Sequence, residues 1–141
     1  MIYLLDTNVI SEVLAKQPNP HVLAWLESQP PEAIRLSVVT LGELQKGVIR
    51  LEEGERKRRL QAWLHQELLE EFEGRILVID VEVCLIWGEM VGRCSKEGRV
   101  LAALDSLLAA SALRYGCTLV TRNERDFVGT GVLLFNPWSL R

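Results

Sequence analysis

Short, mostly apolar runs alternate along this chain with longer amphipathic stretches. Ile2-Tyr3-Leu4-Leu5 runs into Asp6, Ile34 to Val38 into Thr40, Ile76 to Ile79 into Asp80, and Thr118-Leu119-Val120 into Thr121. Val132 to Phe135 is the last such run. Runs of this length read as strands buried on both faces. The stretches between them read as helices. Residues 9–15 form the first, closed by Pro18 and Pro20. His21 to Gln29 carries Val22, Leu23, Trp25 and Leu26 and closes at Pro30-Pro31. Thr40 to Leu51 is the third.

Glu52 to Glu73 is the most charged part of the chain, with an apolar stripe of Leu60, Trp63, Leu64, Leu68 and Phe72. Glu52/Arg56, Glu53/Lys57 and Glu55/Arg59 stand in the favourable helical order, Glu first. Gly54 breaks the region. Asp80 is placed to cap a helix reaching about Gly98, and Leu101 to Tyr115 is a helix rich in small residues. Strands alternating with helices predict an α/β sandwich with a mostly parallel sheet. Nothing divides residues 1–141, so a single domain is expected. In such sheets ligands bind beyond the carboxyl ends of the strands.

Composition narrows the chemistry. A net charge of −3 and a pI near 5.5 exclude a generally basic nucleic-acid binder, though not a locally basic groove or a metal-bridged contact. Cys84, Cys94 and Cys117 form no CxxC pair, so reduced core thiols are expected, with Cys84 and Cys94 both among apolar residues. His21 and His65 are far apart and have no cysteine nearby, which argues against zinc. No signal sequence or membrane span is expected, and the chain is expected in the cytoplasm.

Four acids stand where a ligand would bind. Asp6 follows the first strand; alone, it is explained as a helix N-cap. Glu43 closes Thr40-Leu41-Gly42-Glu43, which alone is a capping box with Thr40 as cap. Asp126 lies in a polar loop after the fourth strand, where Asp is an ordinary turn residue. Asp105 is harder to dismiss. It shares a helix face with Leu101, Leu108, Ala109 and Ala112, and no basic residue lies within one turn. A carboxylate there must be paired with a distant Arg, protonated or metal-bound.

In a parallel sheet, positions after strands one, two and four converge at one edge. Four carboxylates gathered there cannot all ionise without a cation. An all-oxygen cluster selects Mg²⁺ or Mn²⁺, with phosphate as a favoured further ligand. Hydrolysis of a phosphodiester by metal-activated water is the chemistry that fits.

The sequence around these acids resembles the PIN-domain ribonucleases, and within them the VapC-type toxins of toxin–antitoxin pairs. Leu5-Asp6-Thr7-Asn8-Val9-Ile10-Ser11-Glu12 is similar to the first family motif, and Ser37-Val38-Val39-Thr40-Leu41-Gly42-Glu43-Leu44 to the second. Ala102 to Ala112 resembles the third, and Thr121-Arg122-Asn123-Glu124-Arg125-Asp126-Phe127 the fourth. Asn136-Pro137-Trp138 is similar to the FitB-like subgroup. The resemblance implies a three-layer sandwich around a parallel five-stranded sheet. It implies that Asp6, Glu43, Asp105 and Asp126 are catalytic metal ligands, supported by Thr7, Asn8, Thr40 and Asn123. It further implies an endoribonuclease using Mg²⁺ or Mn²⁺, a homodimer, and a DNA-binding antitoxin as partner. Many relatives place Pro three residues before the third acid; this chain has Ala102, which loosens that helix start.

Arg93, Lys96, Arg99, Arg114, Arg122 and Arg125 concentrate positive charge in residues 93–125. They form either an RNA-backbone patch or scattered solvated charges. The stretch 52–72 either grips a partner helix or packs on its own domain. The rival to the nuclease is a binding module, acting with a DNA-binding antitoxin as a repressor. A haloacid-dehalogenase-like phosphatase with Asp6 as nucleophile wants an Asp two residues later, where this chain has Asn8.

Overall fold

A computed structural model describes residues 1–140. Five strands form one parallel sheet: β1 (Tyr3–Leu5), β2 (Ile34–Ser37), β3 (Ile76–Leu77), β4 (Thr118–Val120) and β5 (Leu134–Phe135). Their spatial order is β3-β2-β1-β4-β5. Tyr3 is in register with Ile34 on one side and Thr118 on the other. The chain crosses outward from β1 in both directions, so the switch point lies beyond its end.

Strand periodicity decides the layers. Leu4 and Leu119 face one core with Val83, Met90, Leu108, Ala109 and Phe127. Leu5 and Val120 face the other with Val9, Val22, Leu44, Leu64, Leu68 and Phe72. The first core is covered by α6 (Val81–Lys96) and α7 (Ala103–Tyr115). The second is covered by α1 (Thr7–Val13), α2 (Pro20–Ser28), α3 (Val38–Ile49) and the helical run after Gly54. That run comprises α4 (Glu55–Ala62), a π-helical stretch Trp63–Leu68 and α5 (Leu69–Glu71). The three-layer parallel sandwich is therefore as expected. The 52–72 stripe packs on its own domain: Leu64, Leu68 and Phe72 are buried, with Leu60 and Trp63 against the same core.

Several local expectations are corrected. The capping box at Thr40 does not form. The third helix starts at Val38, because buried Ser37 accepts from the Val39 amide at 3.0 Å. Ser37 ends the strand itself and caps before Thr40 can. The first helix runs from Thr7 rather than residue 9, with Asp6 as its cap. Leu101 lies outside α7, whose cap position is Ala102. Of the three Glu-first pairs only Glu53–Lys57 forms, at 2.5 Å, although Glu53 precedes the helix; Glu55 and Arg59, both inside α4, do not pair. Cys94 and Cys117 are buried as expected, but Cys84 is exposed.

Candidate functional site

The end of β1 carries Asp6 directly into α1. The Asp6 amide donates to the Val120 carbonyl at 2.9 Å, which ties this turn to β4. Its carboxylate is 7% exposed, and both oxygens are engaged. Oδ1 accepts from the Thr7 amide at 2.7 Å, as an N-cap does. Oδ2 accepts from the Thr121 hydroxyl at 2.8 Å and from Asn8 Nδ2 at 3.4 Å. Burial pushes the Asp6 carboxyl above its ordinary range. The Thr121 and Thr7 bonds oppose that, and the charges of Glu43 and Asp126 add to it.

Glu43 sits half-buried on α3, where the Thr7 hydroxyl donates to its Oε1 at 2.6 Å. The buried Thr40 hydroxyl lies 3.3 Å from that of Thr7, so Thr40 steadies Glu43 through Thr7. Asn8 spans to the fourth motif: its Nδ2 donates to Thr121 Oγ1 at 3.2 Å, and its Oδ1 accepts from the Arg122 amide at 3.5 Å. Asn123 meets this network through its backbone amide, which donates to Thr121 Oγ1 at 3.0 Å. Its side chain faces the cleft.

Asp105 lies in the first turn of α7, half-buried. It accepts no hydrogen bond and pairs with no cation among the described residues. The reading of a buried Asp holding a distant Arg is therefore overturned. Desolvation, followed by the charges of Asp6, Asp126 and Glu43, pushes its carboxyl up to about 6. Asp126 stands exposed on a single helical turn, Glu124–Phe127.

All four acids line one cleft of about 470 Å³ beyond the carboxyl edge of the sheet. Among the described residues, no three ligating side chains close into a cage around one ion. Mg²⁺ keeps several waters and takes one or two carboxylates directly, so it does not need such a cage. An oxygen-only donor set with an unneutralised, half-buried Asp105 has the composition and the charge deficit for such an ion.

Two further residues have no site role in the sequence reading, and a third, Arg122, stands there only in a basic patch. Thr121, fully buried, holds Asp6 and gathers Asn8 and Asn123. Trp138 lines the cleft, and its indole N–H donates to Glu12 Oε1 at 3.1 Å. Arg122 lies over that indole, 5.6 Å from the ring centroid. Thr121 opens a motif already noted for its Asn and Asp. Trp138 arrives from the far end of the chain, which no local pattern signals. Of the six basic residues in 93–125, Arg99, Arg122 and Arg125 border the acids. Arg114 pairs instead with Glu82 at 2.7 Å.

With this geometry in hand, comparison with known proteins is specific. The PIN domain family model matches residues 3–132. The chain is 42% identical to Toxin FitB of Neisseria gonorrhoeae, covering 96% of this chain and 97% of that protein. It is 33% identical to the VapC ribonuclease Y4jK of Sinorhizobium fredii, over 96% of this chain and 97% of that one. The structure of FitAB bound to an IR36 DNA fragment superposes with a TM-score of 0.94 at 40% identity, covering 99% of this chain and 98% of that chain.

Proposed function

The chain belongs to the PIN domain family, and from that premise we propose that it is the toxin of a toxin–antitoxin pair, an endoribonuclease that depends on Mg²⁺ or Mn²⁺. The observation that carries this reading is the meeting of Asp6, Glu43, Asp105 and Asp126 in one cleft, with Asp105 left unpartnered. These four acids would hold the metal. When bound, it supplies Lewis acidity toward the phosphate and lowers the pKa of water.

The chain's own residues fix the rest. Thr121 and Asn8 orient Asp6, and Thr7 fixes one oxygen of Glu43, so both acids are held before substrate arrives. Asp105 and Asp126 have no hydrogen-bond partners for their carboxylates among the described residues and can adjust to the phosphate. Water attacks phosphorus and releases a proton to solvent as the new P–O bond forms, while the bond to one ribose oxygen breaks and that oxygen leaves with a proton from solvent. Trp138, held by Glu12, provides an aromatic wall beside the reacting phosphate.

An antitoxin is the expected partner. An apolar cleft of about 650 Å³, lined by Leu14, Val48, Leu60 and Trp63 with Arg56 and Arg59 at its side, reaches Thr7 and Glu43. A partner segment lying there would end at the acids, which supports inhibition by occlusion. Homodimerisation and a cytoplasmic location, where RNA is met, complete the reading. Among the described residues no helix is long and apolar enough to cross a membrane. The second reading, an operator-bound repressor with a latent nuclease, draws support from the DNA-bound FitAB complex.

The test is paired. Asp6→Asn retains the cap, since Asn and Asp cap comparably, but puts a donor where Oδ2 accepts from Thr121 and Asn8, so the variant is expected to fold and to lose no more than about 2 kcal/mol. Cleavage of a mixed RNA pool with Mg²⁺ is expected to fall about 10²-fold or more. A variant that melts and cleaves normally refutes the role of Asp6. A wild type that never cleaves, yet binds operator DNA with its partner, selects the repressor.

A further inference from the structure

A second cleft, of about 410 Å³, opens beside the acid cleft and shares Asp105 and Asp126 with it. Its remaining wall is the loop from Arg99 to Ala102, with Arg125 and Val128 opposite. Neither Arg99 nor Arg125 has a carboxylate within ion-pairing distance; among the described residues only Lys57 and Arg114 are paired. Arg122, the other cation near the acids, is occupied over the Trp138 ring.

Arg99 is not a loose surface chain. Its Nη1 is buried and has no hydrogen-bond partner. The guanidinium lies against Gly129, at φ +87, where a Cβ would fall 2.6 Å from Nη1 and 3.1 Å from Cζ. The positive φ favours glycine there, and any side chain would displace the guanidinium. The Cys94 carbonyl accepts from the Arg99 amide at 2.9 Å, and the Cys94 thiol donates to the Gly129 carbonyl at 3.4 Å. Cys94 thus meets both sides of the packing, its carbonyl the Arg99 backbone and its thiol Gly129. A positioned, partly desolvated and unpaired cation is costly unless an anion completes it. The start of α7, which Ala102 leaves without a side-chain cap, borders the same cleft. Val100 and Val128, 95% and 53% exposed, add apolar surface at its mouth.

We propose that this cleft binds the phosphate next to the scissile one in a single-stranded RNA. Arg99 and Arg125 grip that phosphate, and Val100 and Val128 lie against its ribose or base. The proposal rests on the RNA-cleaving reading of the acid cleft and adds two positioning residues to it. A planar guanidinium fork matches phosphate oxygens. An adjacent cationic grip also answers how a net-negative chain holds a polyanion against four acids.

The experiment titrates a labelled single-stranded RNA oligonucleotide with the full chain in Mg²⁺ and follows cleavage of the same RNA. Arg99→Gln and Arg125→Gln are each expected to weaken binding about tenfold and to reduce the salt slope by about one phosphate contact. KM rises accordingly while kcat stays within about twofold. Arg99→Lys restores the salt slope, because the charge remains. Arg58→Gln, exposed on α4 and lining neither cleft, is the net-charge control and changes neither quantity. Arg125 is exposed, so its variant stays informative if Arg99→Gln disturbs folding. Unchanged binding in both cleft variants, or equal weakening by Arg58→Gln, overturns the phosphate grip. If both variants cut RNA as wild type does, the grip falls and the nuclease reading stands. RNA that binds through these arginines and is never cut supports the grip and removes the nuclease reading.

Discussion

In metal-free buffer, Asp105→Asn is expected to stabilise the protein. Asp105 makes no hydrogen bond or ion pair that Asn would lose, and desolvation, then three negative neighbours, oppose its ionisation. Raising a carboxyl from 3.8 to about 6 corresponds to about 3 kcal/mol against the ionised native state. One side of Asp105 meets water, and screening there reduces the effect to about 1 kcal/mol. The sign follows from proton binding. Below pH 4 both folded and unfolded chains hold the proton, and Asn gains nothing. Between about 4 and 6 the unfolded chain releases its proton first, so wild-type stability falls. Above 6 the cost is full, and the variant should melt about 3 °C higher. The assay is thermal melting of both proteins in chelator from pH 4 to 8. Mg²⁺ should then stabilise wild type more than the variant and close the gap. A variant that melts no higher than wild type at pH 7.5, or whose advantage persists unchanged at pH 4, refutes the electrostatic reasoning.

Thr121→Val removes the buried donor to Asp6 and should cost about 2 kcal/mol, with RNA cleavage falling too; chemical denaturation and cleavage rates check both, and wild-type values would show the contact to be idle. Cys84 should react with a thiol reagent in the native protein while Cys94 and Cys117 react only on unfolding; mass spectrometry of the labelled chain reads which thiols are modified.

The layer architecture was legible because the strands are short apolar runs and the helices carry stripes. The four acids were legible as a set only because a parallel topology was also legible; each taken alone was an ordinary cap or turn residue. Asp6 is both helix cap and cleft-lining acid, since one oxygen serves the helix and the other accepts from Thr121. Thr40 was misread because Ser37 and Thr40 are both competent caps, and only the end of β2 decides between them. Cys84 was misread because ten residues turn a helix about 80° short of whole turns, which takes Cys84 off the buried face that holds Cys94. Glu12, Trp138 and Arg122 meet across almost the whole chain, and no local period reports that contact.

The position of β1 has a consequence for synthesis on the ribosome. Asp6 is made before β4, yet its amide waits for the Val120 carbonyl and its carboxylate for the Thr121 hydroxyl. β1 cannot be flanked on both sides until β4 has emerged, and Asp105 and Asp126 also come late. Such distant pairings form last in vectorial folding. A nascent or prematurely terminated chain therefore lacks an assembled cleft.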